Sequence, residues 1–119
     1  MNGIVSINIT IVNASIRQAR IHFKDEWFKE LKIDKSRRVL IIYNNKENLE
    51  KIVIKKANYR RIIQKIEKEN FFYNLELIRT IMLDKKLLFP KEFLRLFEKL
   101  DLKQNFKCNY YLEKGELKL

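Results

Sequence analysis

A mostly β domain with short helices is what this 119-residue chain predicts, and three observations lead there. Residues Val5–Ile11 alternate apolar and polar strictly and are rich in β-branched side chains, as a half-buried strand requires. Short apolar runs separated by polar turns recur along the chain, and the order of elements in the first half reappears in the second. With 46% apolar and 12% aromatic residues the chain has the material for a core. A domain this long buries roughly two-thirds of the surface exposed when unfolded.

After the first strand, Asn13-Ala14-Ser15 breaks the alternation, and a basic loop carrying Arg17 and Arg20 leads to a short strand, Ile21-His22-Phe23. Residues 24–31 predict a short helix, with Asp25 and Glu26 at its positive end and Trp27 and Leu31 on one face. Val39–Tyr43 and Ile52–Ile54 predict a hairpin across a polar turn. In residues 57–74, Tyr59, Ile62, Ile63 and Ile66 fit a helical stripe, so this linking segment is expected to be helical. Leu75–Leu83 reads as a strand, Asp84-Lys85-Lys86 as a turn and Leu87-Leu88-Phe89 as a further strand. Pro90 suits the first position of a helix, and Phe93, Leu96, Phe97 and Leu100 form its apolar stripe. Cys108–Leu112 and Glu116–Leu119 flank a turn at Gly115, where positive φ is expected.

The charge is unusual and unevenly placed. Twenty-six Lys and Arg against 15 Asp and Glu leave a formal net charge of +11. No acidic residue precedes Asp25, and ten basic residues between Lys35 and Lys65 face only Glu47 and Glu50. A compact domain with such a surplus attracts polyanions, the usual candidates being nucleic acid or an anionic membrane face. No run reaches the roughly 18 uncharged apolar residues of a membrane helix, and no secretory leader is read at the N-terminus. A single cysteine, Cys108, fits a reducing cytosol, so a cytoplasmic protein is expected, associated with the nucleoid if it binds DNA.

The two halves align residue by residue. Phe23-Lys24-Asp25-Glu26-Trp27 lies against Phe89-Pro90-Lys91-Glu92-Phe93, and the following helices align with three extra residues in the second. Each half resembles the SpoVT/AbrB-type swapped-hairpin family. The second half carries Phe89-Pro90-Lys91-Glu92 at the family's Ile-Pro-Lys-Glu, with Lys86 and Arg79 at basic positions before it and 113–119 at its closing hairpin. In the first half Arg20 takes the basic position, Lys24 replaces the proline, and Asn13 stands where Arg79 does; Ala19 and Lys85 replace the usual glycine. The resemblance implies two repeats, 1–56 and 75–119, interlacing hairpins into one small β-barrel around the 57–74 linker. The interlacing would occur within one chain, as a pseudo-dimer, or between two chains, as a homodimer.

Similar proteins bind duplex DNA through basic turns on one face. The resemblance implies that Arg20, Arg79 and Lys86 do so here, with Arg17 and Lys85 as neighbours on the same turns; such cations displace counterions from phosphates. Lys55, Lys56, Arg60 and Arg61 make either a second nucleic-acid patch or the polar side of the linker. Phe71, Phe72 and Tyr73 fit a core or interface cluster, or a stacking platform for single strands. Two alternatives to duplex binding are a protein-interaction module, antitoxin-like or an assembly factor, and an RNA or single-strand binder. No enzyme is expected: His22 is the lone histidine, Cys108 reads as a small buried hydrophobe, and no phosphate loop, zinc spacing or paired acids point to a cofactor or metal.

Overall fold

The computed structural model describes residues 2–44, 51–57, 64–69, 72–91, 93–94 and 105–119. Among them run β1 (Asn2–Val12), β2 (Ser15–His22), α1 (Asp25–Glu30), β3 (Arg38–Asn44), β4 (Lys51–Lys56), β5 (Gln64–Glu69), β6 (Phe72–Thr80), β7 (Lys86–Leu88), β8 (Asn105–Glu113) and β9 (Glu116–Lys118). The chain is therefore mostly β, and every strand pair is antiparallel. The sheet order is β5-β6-β3-β4-β9-β8-β1-β2-β7. A tight connection over 81–85, in which the Met82 amide donates to the Lys86 carbonyl at 2.9 Å, brings β7 back to the end of β6. Eight strands thus curl into a nearly closed barrel, and β5 extends the sheet beyond β6. No helix among the described residues is long and apolar enough to cross a membrane.

The pairing exchanges hairpins between the two halves. Hairpin β3–β4 of the first half is bonded through β3 to β6 of the second, and hairpin β8–β9 of the second is bonded through β8 to β1 of the first. The seams are then closed by β4 on β9, centred on Ile54–Leu117, and by β2 on β7, centred on Ile21–Leu87. Ile21 and Leu87 are also matched by the alignment that sets Phe23 against Phe89. Strand alternation decides what enters the barrel. Val5, Ile7 and Ile9 are buried while Ile4 is 62% exposed, and the same period puts Val39, Ile41 and Tyr43 inside. The buried described residues are all apolar or aromatic.

Aromatic clusters pack against the barrel core on both halves. Trp27 of α1 sits edge-on to Phe23 at 5.1 Å and to Tyr110 of β8 at 5.0 Å. Phe93, at the matching place in the second half, packs 5.9 Å from Tyr43 of β3 and 6.3 Å from Phe89. Each helix start therefore touches the hairpin that the other half contributes. Lys24 lies over the Tyr110 ring at 4.9 Å, so a cation covers this cluster where the second half has Pro90.

Four expectations are corrected. The linker is not helical where it is described: residues 64–69 form β5 and satisfy the backbone groups of β6 over Phe72–Leu77, in a segment whose β-branched residues lower helix propensity. Arg17 and Arg20 lie on β2 rather than in a loop, since the turn is only Asn13-Ala14. Met82 and Leu83, expected in the strand, belong to the 81–85 connection. Asn13 is not the counterpart of Arg79: it occupies a hairpin tip, whereas Arg79 pairs with Val39 within β6. Leu96, Phe97, Leu100, Tyr59, Ile62 and Ile63 lie outside the described residues.

Two stability predictions arise from this packing. Trp27→Ala, which empties a fully buried site, should cost about 3–5 kcal/mol in urea unfolding; a loss under about 1 kcal/mol would show that the ring does not anchor the barrel. Asn13 and Ala14 have φ of 52° and 62°, the left-handed pair of a two-residue hairpin turn. Ala14→Gly should therefore raise stability by about 0.5–1 kcal/mol, and a fall would contradict the left-handed tip.

Candidate nucleic-acid interface

The β2–β7 seam gathers two of the expected cations. In its register Arg20 faces Leu88 and His22 faces Lys86, and cross-strand partners share a face. Because Ala19, Ile21 and Leu87 are fully buried, Arg20, His22, Lys86 and Leu88 point outward together. Arg20 and Lys86 are diagonal neighbours, whose separation in such a ladder is about 7–8 Å. The outer face continues onto β1 through Asn8, opposite Arg20, and Thr10, opposite Gln18.

Arg20 is held in place. Its Nη1 donates to Thr10 Oγ1 at 3.3 Å and to Gln18 Oε1 at 3.1 Å. The guanidinium is thus oriented by neutral acceptors, and among the described residues no carboxylate is paired with it. Arg17 is exposed and stands at the bulge created where the β1–β2 register shifts after Thr10.

The other cations are differently placed. Arg79 is half-buried, donates to the Ile78 carbonyl at 2.8 Å and lines a cleft of about 350 Å³ with Leu88, Pro90 and Lys91. Leu88 is the partner of Arg20, so the cleft adjoins the seam without putting Arg79 on its face. Lys85, at φ 66° in the tight connection, has its amine 2.6 Å from Asp25 Oδ1, and Lys86 lies 3.3 Å from Asp84 Oδ2. The five residues therefore do not occupy equivalent turns: only Lys85 is in one.

The second patch lies across the barrel. β4 is four strands from β2 around the ring, and Lys55 faces Glu116 of β9 while Lys56 stands 4.0 Å from Asp34. Arg60 and Arg61, and the side chains of Phe71, Phe72 and Tyr73, lie outside the described residues. Cys108 is half-buried against the core, and burial pushes its thiol above the ordinary range, away from the reactive thiolate.

Thr10 and Gln18 were not singled out from sequence. Gln18 had a signal, since residues two apart on a strand share a face with Arg20. Thr10 needed the register, which depends on recognising Asn13-Ala14 as a two-residue turn despite the absence of glycine.

The Lys85 amine, hydrogen-bonded and oppositely charged, holds the Asp25 carboxyl below the usual aspartate range. A depressed folded pKa contributes stability that is present in full above the unfolded value of about 3.9 and is lost as pH falls through the folded pKa. With Asp25 fully exposed the effect is small and salt-sensitive. In Lys85→Met the carboxyl titration followed by NMR should move up toward the ordinary range; an unchanged midpoint would mean the ion pair does not persist in solution. Comparison with known protein families, curated proteins and solved structures finds no match to this chain.

Proposed function

We propose that this protein binds duplex DNA through the outer face of the β2–β7 seam and acts as a transcriptional regulator or small architectural protein. The observation that carries this reading is the shared face of Arg20 and Lys86, with Arg20 oriented by neutral side chains and continued by Asn8 and Thr10. Residues 2–24 contain no carboxylate, so this side of the barrel meets a polyanion with little repulsion. Asp25 and Asp84 sit on lysines, and phosphates would compete with them for those amines. The SpoVT/AbrB resemblance supports the same reading, as does the exchange of hairpins between two halves. Arg79 contributes from the adjoining cleft, and Lys55 and Lys56 belong to a separate surface.

A protein-interaction role has one observation in its favour. Leu83 is 86% exposed and Met82 45% exposed at the 81–85 connection, beside a groove of about 680 Å³ that Phe28 and Ile33 also line. Salt separates the two readings, because phosphate contacts weaken steeply as salt rises and apolar contacts do not.

Fluorescence anisotropy on duplex DNA at increasing salt tests the proposal. Wild type should bind at low salt with affinity falling linearly in log–log form. The Arg20→Ala/Lys86→Ala double variant should bind at least about tenfold more weakly and lower the slope by about 2, about one for each cation removed from the DNA-facing surface. Absence of binding at low salt, or an unchanged slope in the double variant, would reject this interface.

A further inference from the structure

Among the described residues the β1–β2 hairpin outruns the barrel. There β8 accompanies β1 as far as Asn8, and the chain leaving β7 accompanies β2 from Ala19, whose carbonyl accepts from the Phe89 amide at 2.9 Å. Among the described residues no strand flanks Thr10–Gln18 on either side. Residues 10–15 and Arg17 are exposed. The three residues Thr10–Val12 with their partners on β2, at roughly 3.4 Å each, make a two-stranded arm about 10 Å long. The second half has no such arm, because 81–85 closes it at once.

The outer face of the arm and of the barrel wall at its root is chemically specific. Asn8, Thr10, Gln18 and Arg20 form two facing cross-strand pairs, opposite the buried Ile9 and Ala19. They supply two amides, a hydroxyl and a guanidinium, and no acid. A phosphate-tracking surface needs only cations. Amide and guanidinium groups in one plane are instead the set that reads base edges, Asn or Gln on adenine and Arg on guanine. The major groove, about 12 Å wide, admits a two-stranded ribbon. Arg17, displaced by the bulge, adds a cation near the tip.

We propose that the β1–β2 arm enters the major groove of duplex DNA, where Asn8, Thr10, Gln18 and Arg20 contact base edges and Arg17 contacts the flanking backbone. This rests on the duplex-binding reading above and adds sequence selectivity to it. A-form RNA has a deep, narrow major groove closed to such a ribbon, so the arm selects B-form DNA.

The test selects the full chain on a random duplex DNA library and measures the enriched site against a scrambled duplex at one salt concentration. Wild type should enrich one motif and prefer it about 100-fold or more, within the usual range for specific binders. Gln18→Ala and Thr10→Val, each checked for a wild-type melting curve, should each lower that preference about tenfold, with the loss confined to one or two adjacent base positions. Lys114→Ala, in the distant β8–β9 turn, should leave it intact. Duplex binding without any enriched motif overturns the arm's role while leaving the interface standing, as does an unchanged preference in both arm variants or equal competition by duplex RNA. No binding of any duplex removes the interface reading itself.

Discussion

Neither half of this chain carries enough sheet to bury its own apolar residues, and the barrel depends on how that shortage is met. β1 has β2 on one side and finds its second neighbour only in β8, about a hundred positions further along the chain. β6 likewise needs β3. Once these two ladders form, Val5, Ile7, Leu75 and Leu77 acquire a common interior with Ile41 and Tyr43. The two seams, Ile21 on Leu87 and Ile54 on Leu117, then follow as contacts between strands already brought alongside. The aromatic clusters depend on the same exchange, since Trp27 meets Tyr110 only because β8 lies next to β1.

The exchange also decides where charge ends up. It places β2 beside β7, so cations 66 positions apart in sequence, Arg20 and Lys86, come to share one face. It places β4 and β9 on the opposite wall, where Lys55 faces Glu116. The surplus of +11 is thereby divided. One region keeps an oriented guanidinium with neutral neighbours beside the Lys86–Asp84 pair, and the other sets Lys55 and Lys56 near Glu116 and Asp34. A net charge has meaning for binding only after this division, because repulsion and attraction at a surface fall away beyond about 8–10 Å at physiological salt.

Much of the fold was legible because strands announce themselves by a period of two. Val5–Ile11 and Val39–Tyr43 alternate or run apolar, and both are strands with the expected faces inside. The Gly115 turn was legible too, with Gly115 at φ 73°. The stretch 64–69 was not, because Ile66 is its lone apolar residue and a single apolar residue fits a helix stripe and a strand equally well. The hairpin tip was hidden by Ala14, a residue that rarely adopts φ 62° and so gives no turn signal. That one omission moved Arg17 and Arg20 from a strand into a loop, and with them the register that brings Thr10 to Arg20. Candidate cations were readable as residue types. Their neighbours were not, since Asp25 against Lys85 and Arg79 against its cleft are products of the three-dimensional closure.

Because both exchanged hairpins lie on one chain, the barrel closes intramolecularly, with the effective local concentration of one half for the other set by the connecting segment and not by the amount of protein in solution. Dilution therefore does not separate the halves. Covalent linkage also releases them from having to be identical, which two separate copies of one short chain would be. The long β1–β2 hairpin and the five-residue 81–85 connection are the visible outcome: a pseudo-symmetric interior shared by two halves whose outer ends have diverged.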